Sequence, residues 1–220
     1  MRTIVITEAQ SSYLKEANDG RFSTQELDNL RTFAERVRYC RQHLGEPIGN
    51  GSSRMVFQID DEKCLKLAKN GKGVAQNDVE AEYWKRRYDI FPKVFESDDE
   101  NSMWIICEYV LPAKAADFKA CAGISFKEFV RWMRTTFGRY NSEWYRYFYE
   151  KMPDEEYCRY LDNSEFLQEM EDYLCNSCIA NVDILRISNW GLAKRDGGGF
   201  PVLLDHGLTD DVYKRFYRRG

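Results

Sequence analysis

Residues 55–59 and 64–68 are two short runs of strand-forming side chains that face each other across Asp60-Asp61, the pattern of a β-hairpin. Ile48 and the turn Gly49-Asn50-Gly51 lead into it, and Asn70-Gly71 and Gly73 break it. This hairpin commits the region to an antiparallel sheet. Residues 74–88 then carry a helical pattern that Pro92 ends. A second strand pair, 93–96 and 103–110, flanks the polar turn 97–101. Past Pro112 the pattern is mainly helical, over 126–137, 143–151 and 165–181. Two short strands follow, 190–194 and 201–204, around Asp196-Gly197-Gly198-Gly199, and residues 210–218 predict a final helix.

Ahead of the sheet, residues 2–7 read as a short strand. Thr24 reads as the cap of one helix reaching Leu44, with Leu27, Leu30, Phe33, Ala34, Val37 and Cys40 on one face. The expected fold class is α+β, with an extension over 1–44, a sheet-rich part over 45–111 and a helical part over 112–220.

Composition narrows the function classes. Basic residues number 32 against 36 acidic, with no long run of one sign, which speaks against nucleic acid and against a polybasic membrane patch. No apolar run approaches a membrane span, and the N-terminus lacks a signal-peptide core, so a cytoplasmic protein is expected. Seven cysteines, an odd number without framework spacing, point to reduced thiols. Cys175 and Cys178 form a CxxC with no second half, and read as core residues. With His43 and His206 the only histidines, a His-based hydrolase or a multi-His metal site has little material.

Four pieces carry chemistry by their order: the glycine turn running from Ile48 to Phe57, Lys66 on the returning strand, Glu80 or Glu82 on the next helix, and the late Asn189…Asp205-His206-Gly207 hairpin. Together they resemble the protein-kinase-like superfamily. The resemblance covers about residues 45–110 and 180–208 and implies a two-lobed fold, with a five-stranded antiparallel N-lobe sheet and a reduced, mainly helical C-lobe. It implies that Gly49, Gly51 and Ser52 cover the phosphates of ATP and that Val56 lies over the adenine. Lys66 would contact the α- and β-phosphates and Glu80, preferred over Glu82, would orient it. Backbone groups near Glu108 and Val110 would bind the adenine edge, and Asn189 and Asp205 would hold Mg²⁺.

The sequence departs from the family pattern in places. Arg54 stands at the third glycine and His206 at the usual Phe. The catalytic base implied is Asp183, six residues before Asn189 where the family uses five and where Ile184 stands here. The chain also ends fifteen residues after Asp205, which resembles the cut-down kinases of bacterial effectors and phage-type genomes, and so a host-cell cytosol for an effector. The expected activity is ATP- and Mg²⁺-dependent phosphotransfer to an unknown protein substrate, as a minimal Ser/Thr kinase. The alternatives are a pseudokinase-type nucleotide-binding module, an AMP-transferring enzyme on the same fold, and an interaction protein using the aromatic stretch from Phe137 to Tyr160.

Overall fold

A computed structural model of the chain describes residues 21–85, 88–140, 152–176, 182–195 and 198–217. The strand expected at 2–7, the helix expected at 143–151 and the end of the helix expected at 165–181 lie outside them.

The single helix expected from Thr24 is two helices, α1 (Thr24–Asn29) and α2 (Phe33–Leu44). Local capping causes the break. Ser23 caps α1, accepting from the Glu26 amide. Thr32 opens α2 with a capping box: its hydroxyl accepts from the Glu35 N–H at 3.2 Å, and the Glu35 carboxylate accepts from the Thr32 N–H at 2.8 Å. Two satisfied helix starts nine residues apart outweigh continuation of the apolar stripe through Leu30.

Five antiparallel strands follow: β1 (Gly49–Asn50), β2 (Arg54–Gln58), β3 (Lys63–Ala68), β4 (Val94–Ser97) and β5 (Trp104–Glu108), in the order β1-β2-β3-β5-β4. The β2–β3 turn is locked by Asp60, whose side chain accepts from the Glu62 and Lys63 amides at 2.8 Å each. Side chains alternate between the sheet's two faces. Met55, Phe57, Leu65, Leu67, Trp104 and Ile106 point one way and form a buried cluster with Leu27 of α1 and Cys40 of α2. Trp104 also donates to Asp28 at 2.6 Å, tying α1 to β5. The opposite face therefore holds Arg54, Val56, Cys64, Lys66 and Cys107, and the helix after β3, α3 (Gly71–Trp84), packs on this side of the sheet. Asn70 starts α3, accepting from the Lys72 and Gly73 amides.

The later part is helical: α4 (Ala115–Ala122), α5 (Phe126–Tyr140), α6 (Asp154–Asp162) and α7 (Glu165–Asn176). Two 3₁₀ turns, Val182–Leu185 and Ile187–Asn189, lead to the hairpin β6 (Trp190–Arg195) and β7 (Gly198–Leu203), and α8 (Asp210–Phe216) follows. A second buried cluster, built on Phe118, Phe129, Trp132, Phe166, Tyr173 and Trp190, fills this part. Each such ring contributes about 1.5–3 kcal/mol by leaving water. Trp190 satisfies its indole N–H on the Ile184 carbonyl at 2.8 Å, so the ring is buried without an orphaned donor. Tyr157, one of the aromatics considered for an interface, belongs to this core.

Main-chain bonds hold the β6–β7 hairpin in place, and one of them reaches back to the early half. Leu203 donates to the Ile90 carbonyl at 2.7 Å, Ala113 to Trp190 at 2.7 Å and Leu204 to Asn189 at 2.8 Å, which fixes the residues leaving β7. No helix among the described residues is long and apolar enough to cross a membrane.

Candidate functional site

Lys66 sits in the middle of β3, paired with Val56 of β2, and its stem runs along the sheet face beneath α3. Glu80 is 1% exposed on α3, one turn after Gln76 and on the same helix face. The Lys66 ammonium donates to Glu80 Oε2 at 2.7 Å and to the Leu204 carbonyl at 2.7 Å. Two of its three N–H groups are thereby used and the ammonium is held in one place. Glu82 points elsewhere, exposed and paired with Lys85 at 3.3 Å.

The second oxygen of Glu80 meets Arg54. Arg54 Nη2 lies 2.7 Å from Glu80 Oε1 and 2.5 Å from Asp205 Oδ1, while Nη1 donates to Asn77 at 3.3 Å. The chain of contacts is Lys66, Glu80, Arg54, Asp205, with alternating sign. Three members are buried, and Asp205 is the open end, its side chain 52% exposed. Burial of this kind disfavours each charge, so pairing is what keeps them ionised. Burial works to raise the Glu80 pKa, but Arg54 and then Lys66 hold it well below the usual carboxylate range. Burial likewise opposes the charge on Lys66, and Glu80 reverses this, leaving the pKa raised.

The segment 204–207 is pinned to α3 from several sides. The Gly207 amide donates to Glu80 Oε1 at 3.3 Å, and a Cβ at Gly207 would stand 2.5 Å from the Gln76 carbonyl oxygen. His206 stacks on Phe91 with centroids 4.0 Å apart and bonds the Leu203 carbonyl through Nδ1, while Nε2 has no partner among the described residues. Burial pushes its pKa down to about 4. Ser53 completes the frame by donating to Gln76 at 2.6 Å.

The structure brings together some expected residues and not others. Lys66, Glu80 and Asp205 belong to one network, and Asn189 touches it through its carbonyl bond from Leu204. Val56 is half-buried on the same sheet face. Gly49 pairs with Val56 in β1, and Gly51 and Ser52 form an exposed turn that Lys69 and Asn70 brace from below: Lys69 donates to the Gly51 carbonyl at 2.6 Å and Asn70 to that of Ser52 at 3.1 Å. The carboxylate and N–H of Glu108 are both engaged. Arg195 grips its carboxylate with two bonds of 2.9 Å, and its N–H serves the Lys93 carbonyl. Val110 fills the space above Gly191. The backbone of Asp183 lies in the 3₁₀ turn Val182–Leu185, and its side chain falls outside the described residues, as do Cys178 and the tip of the last turn at Asp196-Gly197.

Sequence reasoning missed Arg54, Gln76 and Asn77 as parts of the site. For Arg54 a signal exists: it shares strand parity with Val56 and Lys66, so it faces the same side. As a divalent-cation site the arrangement does not fit. The Asp205 oxygen expected to bind metal carries a guanidinium, and no group of three or more His, Cys, Asp or Glu positioned for a metal occurs among the described residues. No protein-family model matches the chain, and no curated protein is significantly similar to it.

Proposed function

We propose that this chain is a nucleotide-binding protein of kinase-like, two-lobed build, taking ATP between the five-stranded sheet and the β6–β7 hairpin. The observation that carries the reading is the buried Lys66–Glu80 ion pair, held 2.7 Å apart beneath the glycine turn and bonded on its far side to Leu204, next to Asp205. A lysine fixed in this way is a pre-positioned hydrogen-bond donor to a phosphate, since its rotamer entropy is already lost before the ligand arrives. In this reading Gly49, Gly51 and Ser52 lie over the phosphates and Val56 against the base.

The Arg54–Asp205 pair favours a binding module, of the pseudokinase type, over a transferase. Phosphotransfer to a protein, or AMP transfer on the same fold, is the second reading, favoured by the Lys66–Glu80 pair and by the position of Asp183 in the turn before Asn189. Two measurements test these. ATP at about 100 times its Kd stabilises a specific binder by about 2.7 kcal/mol, seen as a rise in melting temperature. Radiolabelled γ-phosphate transfer with Mg²⁺ or Mn²⁺ then separates module from enzyme; the binding-module reading predicts none.

A further inference from the structure

Position 54 changes the charge balance of this site. Lys66, Glu80 and Asp205 alone carry one positive and two negative charges. A polyphosphate approaching such a site meets net repulsion until a metal ion binds Asp205. Arg54 removes that deficit: the four side chains form two cations and two anions in direct contact.

The cation is permanent and fixed. A guanidinium stays charged at all pH values a protein survives. Burial opposes that charge, and Glu80 and Asp205 more than offset it. Asn77, Glu80 and Asp205 hold the planar group from three directions. A divalent ion seeking Asp205 must displace the guanidinium from Oδ1 or sit beside a like charge. A further cation, Lys69, already braces the glycine turn through the Gly51 carbonyl.

We propose that Arg54 is the resident counter-cation of Asp205, so that this site takes a nucleoside polyphosphate without a divalent metal. The inference rests on the nucleotide-binding reading and assigns Arg54 a positioning and charge-balancing role. Asp205 then acts as the anchor of Arg54 rather than as a metal ligand.

The test is titration of the full chain with ATP by calorimetry, in excess EDTA and in millimolar magnesium. The wild-type Kd is expected to agree within about threefold between the two buffers, well under one decade of affinity. Arg54→Ala leaves Asp205 unpaired, and is expected to lose about tenfold or more in EDTA and to recover with magnesium. Asp205→Asn keeps Arg54 on Glu80 and Asn77 and removes an anion facing the phosphates, so ATP binds about three- to tenfold more tightly in EDTA. This second variant carries the test if Arg54→Ala does not fold. Wild-type binding that rises more than about tenfold with magnesium, or loss of binding in Asp205→Asn, overturns the inference and leaves nucleotide binding standing. No binding in either buffer overturns both.

Discussion

Arg54 and Asp205 are 151 residues apart in the chain and 2.5 Å apart in space. Their contact closes the gap between the second strand of the sheet and the exit of the last hairpin. Glu80 braces the same guanidinium from α3, so the two halves of the site share one buried charge network. Removing Glu80, which both cations share, leaves the buried Lys66 charge uncompensated, which costs more than the pair itself contributes.

Glu80→Gln removes the anion that Lys66 and Arg54 share. The expected loss is about 3–5 kcal/mol of folding stability, read from urea denaturation. Glu82→Gln, two residues away on the exposed face, stays within about 0.5 kcal/mol of wild type. Equal effects of the two would show that the network carries no stability.

Acid acts through His206. The free imidazole titrates near 6.5, and in the folded chain burial, helped by the cations Lys66 and Arg54, holds it down to about 4 against the pull of Glu80 and Asp205. Between those values the unfolded chain binds a proton that the folded one refuses, so stability falls as pH drops from 6.5 to 4, by on the order of 3 kcal/mol. Glu80, whose pKa is lowered, adds loss in the same direction at lower pH still. Melting temperature followed against pH checks this. His206→Phe, which keeps the stacking on Phe91, flattens the decline above pH 4, and an unchanged slope would exclude His206 as its cause.

Glycines of the site differ in what they tolerate. Gly207→Ala drives a Cβ to 2.5 Å from the Gln76 carbonyl oxygen and 2.8 Å from its Cα, backbone that cannot step aside without moving α3. A loss of about 1–3 kcal/mol is expected by denaturation. At Gly51 the same Cβ meets the Arg54 carbonyl at 3.6 Å, ordinary contact, so Gly51→Ala is within about 0.5 kcal/mol.

Thr32→Ala removes half of the capping box that starts α2 and is expected to cost about 1 kcal/mol. Circular dichroism during thermal melting measures it. A neutral result would place the origin of the α1–α2 break in packing rather than in capping.

Much of the fold was legible because its signals are local. Alternation in residues 55–59 and 64–68 and the Asp60 turn specify the hairpin, and the helix expected over 74–88 is α3, which opens three residues earlier because the Asn70 side chain caps it. The order of Lys66, Glu80 and Asp205 also pointed to one site. Other features depend on contacts that sequence spacing does not record. α4 starts at Lys114 with no side-chain cap, so nothing in the sequence announces it. Arg54 looked like a missing glycine, because its meaning lies in Glu80 on α3 and in Asp205, which only the tertiary fold brings within reach. The grip of Arg195 from β6 on the Glu108 carboxylate is another contact of this kind.

The central claim is that Lys66 on its strand is a phosphate-binding group held ready by Glu80. Calorimetric titration of ATP into wild type and Lys66→Ala tests it most directly, since Glu80 keeps Arg54 as a partner in the variant and the fold is retained. The account predicts saturable binding by the wild type and a loss of about tenfold or more in Lys66→Ala, with circular dichroism unchanged. No heat of binding from the wild type, or equal affinity in a folded Lys66→Ala, would contradict it.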